Sequence, residues 1–284
     1  MLKVALTHDI DRTVKTYQYF THSMGALKIR DFRSAWYHAT SWHRRKEVYW
    51  NFQEIMDIES RYGATSTFFF LIESYPFTLL KPSSWKLALG RYNIHEKRIM
   101  DVIHFLDKNG WEVGLHGSYR SYNNLHLLQS EKYLLEEILG HSAAGCRQHY
   151  LNWNENTWGL QQRAGFKYDA SWGFTRQIGF KGNKIKPFFP LNNHFAIFPL
   201  AIMDLCYMRT SNRREVLEKL IDEVVENDAI LVINWHNNYF NHREYPGWKD
   251  AYVEVIETCQ EYGAIFQTLE KFYQLYTHKK QVIP

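Results

Sequence analysis

The chain alternates between two kinds of hydrophobic spacing. Short, nearly unbroken apolar runs predict buried strands at Lys3 to His8, Ala64 to Ile72, Trp111 to His116, Ala143 to Gln148, Phe195 to Met203, Ala229 to His236 and Gly263 to Thr268. Between them, apolar residues recur three and four positions apart. This predicts helices at Val48 to Tyr62, His95 to Asn109, Leu127 to Leu139, Asn154 to Ala164, Ser211 to Glu226, Trp248 to Tyr262 and Leu269 to Thr277. Gly110, Gly165 and Gly263 each stand just past a helical pattern, where a left-handed residue ends a helix. Strands alternating with helices predict an α/β fold, and seven parallel strands point to a barrel.

No stretch rich in proline, glycine or serine divides the chain, and no repeat is visible, so residues 1–284 read as one domain. Two segments exceed ordinary loop length. One is an insertion at about 12–47, carrying His22, Trp36, His38, Trp42 and His43, in which Arg30 to Arg45 predicts a short basic helix on the barrel rim. The other, Gly165 to Asn193, carries Trp172, Arg176, Lys181, Lys184 and Lys186. Hydrophobic residues are 45% and charged residues 23% of the 284, enough apolar content for a core and too much for a disordered chain. Lys plus Arg number 34 against 30 Asp plus Glu, too even a balance for a nucleic-acid partner. Cys146, Cys206 and Cys259 are scattered, which fits a reducing compartment. The start, Met-Leu-Lys-Val-Ala-Leu-Thr-His-Asp, lacks the apolar core of a signal peptide, and no run has the length of a membrane span. A cytoplasmic protein is expected, with peripheral membrane association left open.

The unusual content is 14 histidines and 17% aromatics. Several ionisable residues fall where an apolar run ends on its C-terminal side: Asp9 and Asp11, His116, Arg147 and His149, Asp204, and His236. Parallel strands bring those ends to one rim, where active sites lie. Asp9 and Asp11 are two apart, so in extended chain they share a face. One could then bind a cation while the other stays ionised as a base. The alternative is a turn in which they only accept backbone hydrogen bonds.

The series Asp9-Ile-Asp11, Gly-Leu-His116-Gly-Ser, Arg147-Gln-His149-Tyr150-Leu, Tyr-Asp169-Ala-Ser-Trp172 and Asn-Trp-His236 resembles the motifs of the NodB-homology polysaccharide deacetylases, carbohydrate esterase family 4. It is most similar to the branch with Asp-x-Asp as first motif, as in peptidoglycan deacetylases, allantoinase-like amidohydrolases and sequences of capsule and O-antigen gene clusters. The resemblance implies a distorted (β/α) barrel of about seven strands. It also implies hydrolysis of an N-acetyl group of an acetamido sugar or glycan, nucleotide- or lipid-linked, with a divalent metal such as zinc. By motif, Asp9 is the base that activates water, Asp11 and His116 are metal ligands, and Arg147 orients Asp9. His236 is the general acid, and Asp169 orients it. The backbone at His149 or Tyr150 would hold the oxyanion, so these two are assigned to the substrate, as is Trp172 for the flat face its ring offers a pyranose.

One position departs from the pattern. The family's His-x-x-x-His is here His116-Gly-Ser-Tyr-Arg120, and a guanidinium cannot ligate a metal. A third ligand must come from elsewhere, with His149, His8 and Asn124 as candidates, or metal binding is weak or lost. Loss would leave a sugar-binding or assembly protein. Of the remaining aromatics, Tyr119, Tyr122, Trp153, Trp235 and Tyr239 are either platforms for pyranose rings or ordinary packing.

Overall fold

The computed structural model describes residues 1–44, 48–191 and 194–281. Arg45 of the expected basic helix, Glu47 and Asn193 lie outside them. One wholly parallel sheet contains β1 (Lys3–Ile10), β2 (Thr67–Leu71), β3 (Glu112–Gly117), β4 (Gly145–Gln148), β5 (Tyr168–Asp169), β6 (Ala196–Ile197), β7 (Leu200–Met203), β8 (Leu231–Asn234) and β9 (Ile265–Phe266). The helices are α1 (Gln18–Lys28), α2 (Phe32–Thr40), α3 (Phe52–Arg61), α4 (Pro82–Ala88), α5 (Lys97–Lys108), α6 (Leu125–Leu139), α7 (Thr157–Arg163), α8 (Asp204–Arg209), α9 (Arg213–Glu226), α10 (Trp248–Glu261) and α11 (Leu269–Gln281).

The expected strand from Phe195 to Met203 is two strands. Pro199 lies at the break, where a residue without an N–H cannot continue the ladder. That break closes the sheet. The strand order is β6-β5-β4-β3-β2-β1-β8-β7, so β6 and β7 are its two ends, separated along the chain only by Phe198 and Pro199. Leu200 pairs with Gly173 beyond β5 on one side and with Val232 of β8 on the other. The result is a distorted barrel. The additional strand β5 has two residues, too few to show any period.

Strand alternation sorts the residues into two cores. Val4, Leu6 and Ile10 of β1, with Phe68, Phe70, Val113, Leu115, Cys146, Leu231 and Ile233, face outward under the helices. Ala5, Phe69, Tyr168, Ala170, Phe198, Leu200 and Val232 fill the barrel, and Leu269 and Phe272 of α11 pack with them. The Leu269 and Glu270 N–H groups donate to Thr67 Oγ1 and Glu112 Oε2 at the starts of β2 and β3, so α11 plugs the N-terminal end. Room inside is tight: a Cβ at Gly145 would stand 2.1 Å from the Tyr168 ring.

The insertion after β1 forms an antiparallel pair, α1 and α2, followed by a short 3₁₀ turn at Ser41–Arg44. The expected basic helix therefore ends at Thr40 and begins at Phe32, where Asp31 accepts the Ser34 N–H as cap.

Candidate active site

The inward face of the strands, followed to their C-terminal ends, collects the polar residues. On β1 the inward positions after Ala5 are Thr7, Asp9 and, one step past the strand, Asp11. On β3 and β4 they are His116 and Arg147, and beyond β8 comes His236 after Val232 and Asn234. His8 has the opposite parity and leaves the site. It is fully buried under the helices, with Nδ1 2.7 Å from the Trp235 carbonyl and Nε2 2.8 Å from Glu59 Oε1. It is not the third ligand. Neither is Asn124, whose side chain caps α6.

The third group beside Asp11 and His116 is His149, one of the three candidates for that place and a residue also expected to meet the substrate. Asp11 Oδ1 lies 3.3 Å from His116 Nε2 and 3.8 Å from His149 Nε2. It is a buried oxygen with no hydrogen-bond partner among the described residues. The far side of each ring is already committed. His116 Nδ1 faces the Arg147 carbonyl at 2.9 Å, and His149 Nδ1 faces Glu73 Oε2 at 3.4 Å. An Nδ1–H donated backward leaves an Nε2 lone pair pointing forward, the arrangement of metal-ligating imidazoles. An orphaned carboxylate oxygen with two such nitrogens fits a divalent cation. Burial pushes Asp11 upward, but His149, His116 and His236 outweigh it and hold the carboxyl well below its ordinary range.

Asp9 sits deeper. Arg147 Nη1 donates to its Oδ1 at 2.9 Å and Asn234 Nδ2 to its Oδ2 at 2.8 Å. Burial alone would raise its pKa, yet Arg147, His116 and His236 together bring it below the ordinary value. Arg147 is fully buried, and its Nε donates to the Ala170 carbonyl, so its orientation is fixed from both sides. On the opposite wall, His236 Nε2 is 3.9 Å from Asp9 Oδ2 and 3.8 Å from Asp11 Oδ2. Its Nδ1 lies 2.7 Å from Asp204 Oδ2, which also accepts the His236 backbone N–H. Burial opposes the charged ring, but Asp204, Asp11 and Asp9 push its pKa up to about 10.

Two expected roles need correction. Asp169 does not reach His236: its oxygens accept Ser171 N and Oγ and Gln161 Nε2, and the partner of His236 is Asp204, at the start of α8. Trp172 does not line the pocket. Its ring is 5.1 Å from that of Trp153 and 5.4 Å from that of Trp158, its Nε1 donates to the Lys181 carbonyl, and the Lys181 ammonium lies 4.4 Å over it. Trp235 is likewise buried, between Tyr207 and Tyr252. Tyr150 is half exposed at the pocket edge. It and Leu151 are consecutive left-handed residues, with φ of 60° and 53°, a local strain of the kind found at functional sites.

The pocket has a volume of about 290 Å³, and besides the residues above Arg12, Tyr17, Thr175, Met203 and Tyr239 line it. Glu73 escaped the reading of the sequence although the same rule finds it: it follows the apolar run of β2 at the parity of Thr67 and Phe69. Arg120 stands clear of the site, exposed, with its guanidinium 4.5 Å over Tyr75.

No protein-family model matches the chain, and no curated protein matches it. Solved structures do match over nearly its whole length. A Mycobacterium smegmatis protein assigned as a polysaccharide deacetylase superposes with a TM-score of 0.61 at 15% identity, covering 98% of this chain and 91% of the other. One from Pseudomonas aeruginosa PAO1 with the same assignment gives 0.60 at 12% identity, covering 100% and 93%. Puue allantoinase gives 0.58 at 14% identity, covering 98% and 90%. The chain has the polysaccharide deacetylase fold.

Proposed function

We propose that the protein is a metal-dependent amide hydrolase that removes the acetyl group from an acetamido sugar. The observation that carries this reading is the placement of an arginine-held carboxylate, Asp9, and an aspartate-held imidazole, His236, beside one cluster of Asp11, His116 and His149. A divalent cation held by those three side chains supplies Lewis-acid polarisation of the acetyl carbonyl and a lowered pKa for water. Two imidazoles and a carboxylate are a donor set suited to zinc.

The protein's own groups handle the protons. Asp9, ionised and anchored by Arg147, takes a proton from water as its oxygen attacks the carbonyl carbon. His236, charged through neutral pH, gives its Nε2 proton to the amide nitrogen as the C–N bond breaks, releasing acetate and a free amine. The backbone at His149 and Tyr150, fixed by the left-handed turn, is assigned to the developing oxyanion. Tyr150 also lines a second, open groove of about 640 Å³, together with Tyr75, Lys81, Lys86 and Tyr119. Aromatic faces with lysines suit a glycan that carries negative charge, such as a nucleotide- or lipid-linked intermediate of O-antigen or capsule synthesis handled in the cytoplasm. Arg120, the residue that favoured a degenerate sugar-binding protein, costs the site no ligand in this reading, because His149 takes that place.

The test is acetate release by the purified protein from nucleotide-linked, lipid-linked and polymeric acetamido sugars. Activity abolished by chelation and by Asp9→Asn supports the proposal; full activity in Asp9→Asn sinks it. The likeness to Puue allantoinase favours one competitor, an amidohydrolase of small ureides. Turnover of ureides with no acetate from any sugar selects it.

A further inference from the structure

The helical pair α1 and α2 carries its apolar residues on two sides. Ala26 and Ala35 are buried. A second, solvent-facing side is apolar as well, and nothing among the described residues covers it. On α1, Phe20, Met24 and Leu27 stand at i, i+4 and i+7 with exposures of 71%, 42% and 44%. On α2, Phe32 and Trp36 stand at i and i+4 with exposures of 69% and 73%, followed by exposed Ala39. Ile29 at the bend and Trp42 after α2 extend the surface. Seven large exposed apolar side chains within 23 residues exceed the isolated cases normal for a surface.

Charge decides what covers them. The overall balance of +4 conceals a local excess: residues 12–47 contain eight Lys or Arg and two acidic residues. Lys28, Arg30 and Arg33 are exposed around the apolar stripes, and the acid among them, Asp31, is engaged as the cap of α2. Along α2 runs an open groove of about 770 Å³ lined by Arg33, Ser34, Trp36, Tyr37, Thr40 and Arg243 among others, so two guanidinium groups flank aromatic surface. Exposed Trp and Phe beside Arg and Lys on one helical pair is the composition of an interfacial membrane helix. It is not that of a spanning one, and no helix among the described residues is long and apolar enough to cross a bilayer.

We infer that α1 and α2 form an interfacial anchor that binds an anionic phospholipid bilayer. The aromatic stripes enter the headgroup region while Lys28, Arg30, Arg33 and Arg243 meet lipid phosphates. The anchor adjoins the catalytic pocket, because Tyr17, the residue that precedes α1, lines that pocket together with Arg12. A membrane held there lies beside the pocket mouth. This inference stands whichever bond the site cleaves, since its readout is binding.

The test is flotation of the full-length protein with phosphatidylcholine vesicles, with and without phosphatidylglycerol. The expected result is binding to the anionic vesicles at low salt, weakened at least about tenfold by their omission or by high salt, with a blue shift of tryptophan fluorescence. Phe20→Ser combined with Phe32→Ser and Trp36→Ser alters only exposed side chains and is expected to abolish binding while circular dichroism stays unchanged. Arg33→Glu, compatible with the first turn of α2, is expected to weaken it. Failure of the parent protein to float with anionic vesicles overturns the inference, as does equal binding by the triple variant. A parent protein that is a dimer without lipid and becomes a monomer in the triple variant also overturns it, by assigning the face to a second copy of the chain.

Discussion

Replacing Asp204 by Asn tests the proposed role of His236 as general acid and of Asp204 as its partner. His236 stands roughly 3.5 pH units above an ordinary imidazole, equivalent to about 5 kcal/mol in favour of the charged ring. Burial acts against that charge, so the carboxylates supply the whole of the gain. Asp204 is in contact at 2.7 Å, whereas Asp11 and Asp9 stand at 3.8 and 3.9 Å. An opposite charge this close is worth about 1 to 3 pH units, so the variant ring is expected to titrate about 2 units lower, near 8. At pH 8 the charged fraction then falls from nearly all to about half. Loss of ring orientation adds a larger factor, for a total drop in kcat of about 100-fold or more. The assay is a proton NMR titration of the ring, identified by its disappearance in His236→Gln and read beside the pH profile of hydrolysis. Because the acid must be protonated, the alkaline limb moves to lower pH. Asp169→Asn serves as the contrast and is expected to leave the ring's titration unchanged. An unmoved His236 in Asp204→Asn, or an equal shift in Asp169→Asn, refutes the reasoning.

Three further outcomes are expected. Glu73→Ala, which releases His149 Nδ1, should weaken metal binding about 10- to 100-fold in competition with a chromogenic chelator, and unchanged affinity would remove His149 from the ligand set. Glu112, buried against Tyr168 and Thr67, has its pKa pushed up to about 7, above the 4.5 of an unfolded chain. The folded state therefore holds the proton more tightly, so this group's contribution, about 3 kcal/mol, is complete below about pH 4.5 and lost as the pH rises through 7. Glu112→Gln, an isostere of the neutral acid, should flatten urea stability over that window; a slope identical to the parent's would show the carboxyl is not its source. Glu59 accepts hydrogen bonds from His8, Tyr252, Ser66 and Trp111, so Glu59→Gln forces a donor among donors. A loss of about 3 kcal/mol in chemical denaturation is expected, and a loss below about 1 kcal/mol would mean the cluster relaxes freely.

What the sequence disclosed depended on the distance over which each signal acts. The barrel was legible because strands such as Lys3–Ile10 and helices such as Leu125–Leu139 repeat their hydrophobic period several times. Tyr168–Asp169, with two residues, has no period, and Pro199 splits a run whose halves are both apolar. In the site, Asp9, Asp11, His116, Arg147 and His236 were found from strand ends and motif order. Asp204 was recognised as a rim residue but given no role, because its contact with His236 spans 32 positions and no local pattern encodes it. Trp172 failed for a related reason. An aromatic beside a motif looks the same whether it faces a ligand or, as here, Trp153 and Trp158.

The alternation along β1 sets how the protein tolerates change. Val4, Leu6, His8 and Ile10 answer to the helices, while Ala5, Thr7, Asp9 and Asp11 answer to the barrel and its chemistry. A substitution edits one side and spares the other, so the outward positions can be redesigned for volume with the catalytic face intact. Loss of a single codon before Asp9 exchanges the sides at once, burying both acidic side chains beneath the helices and turning apolar groups toward His116 and His149. Point variation and deletion in these eight residues are therefore different experiments, and only the first can separate stability from catalysis.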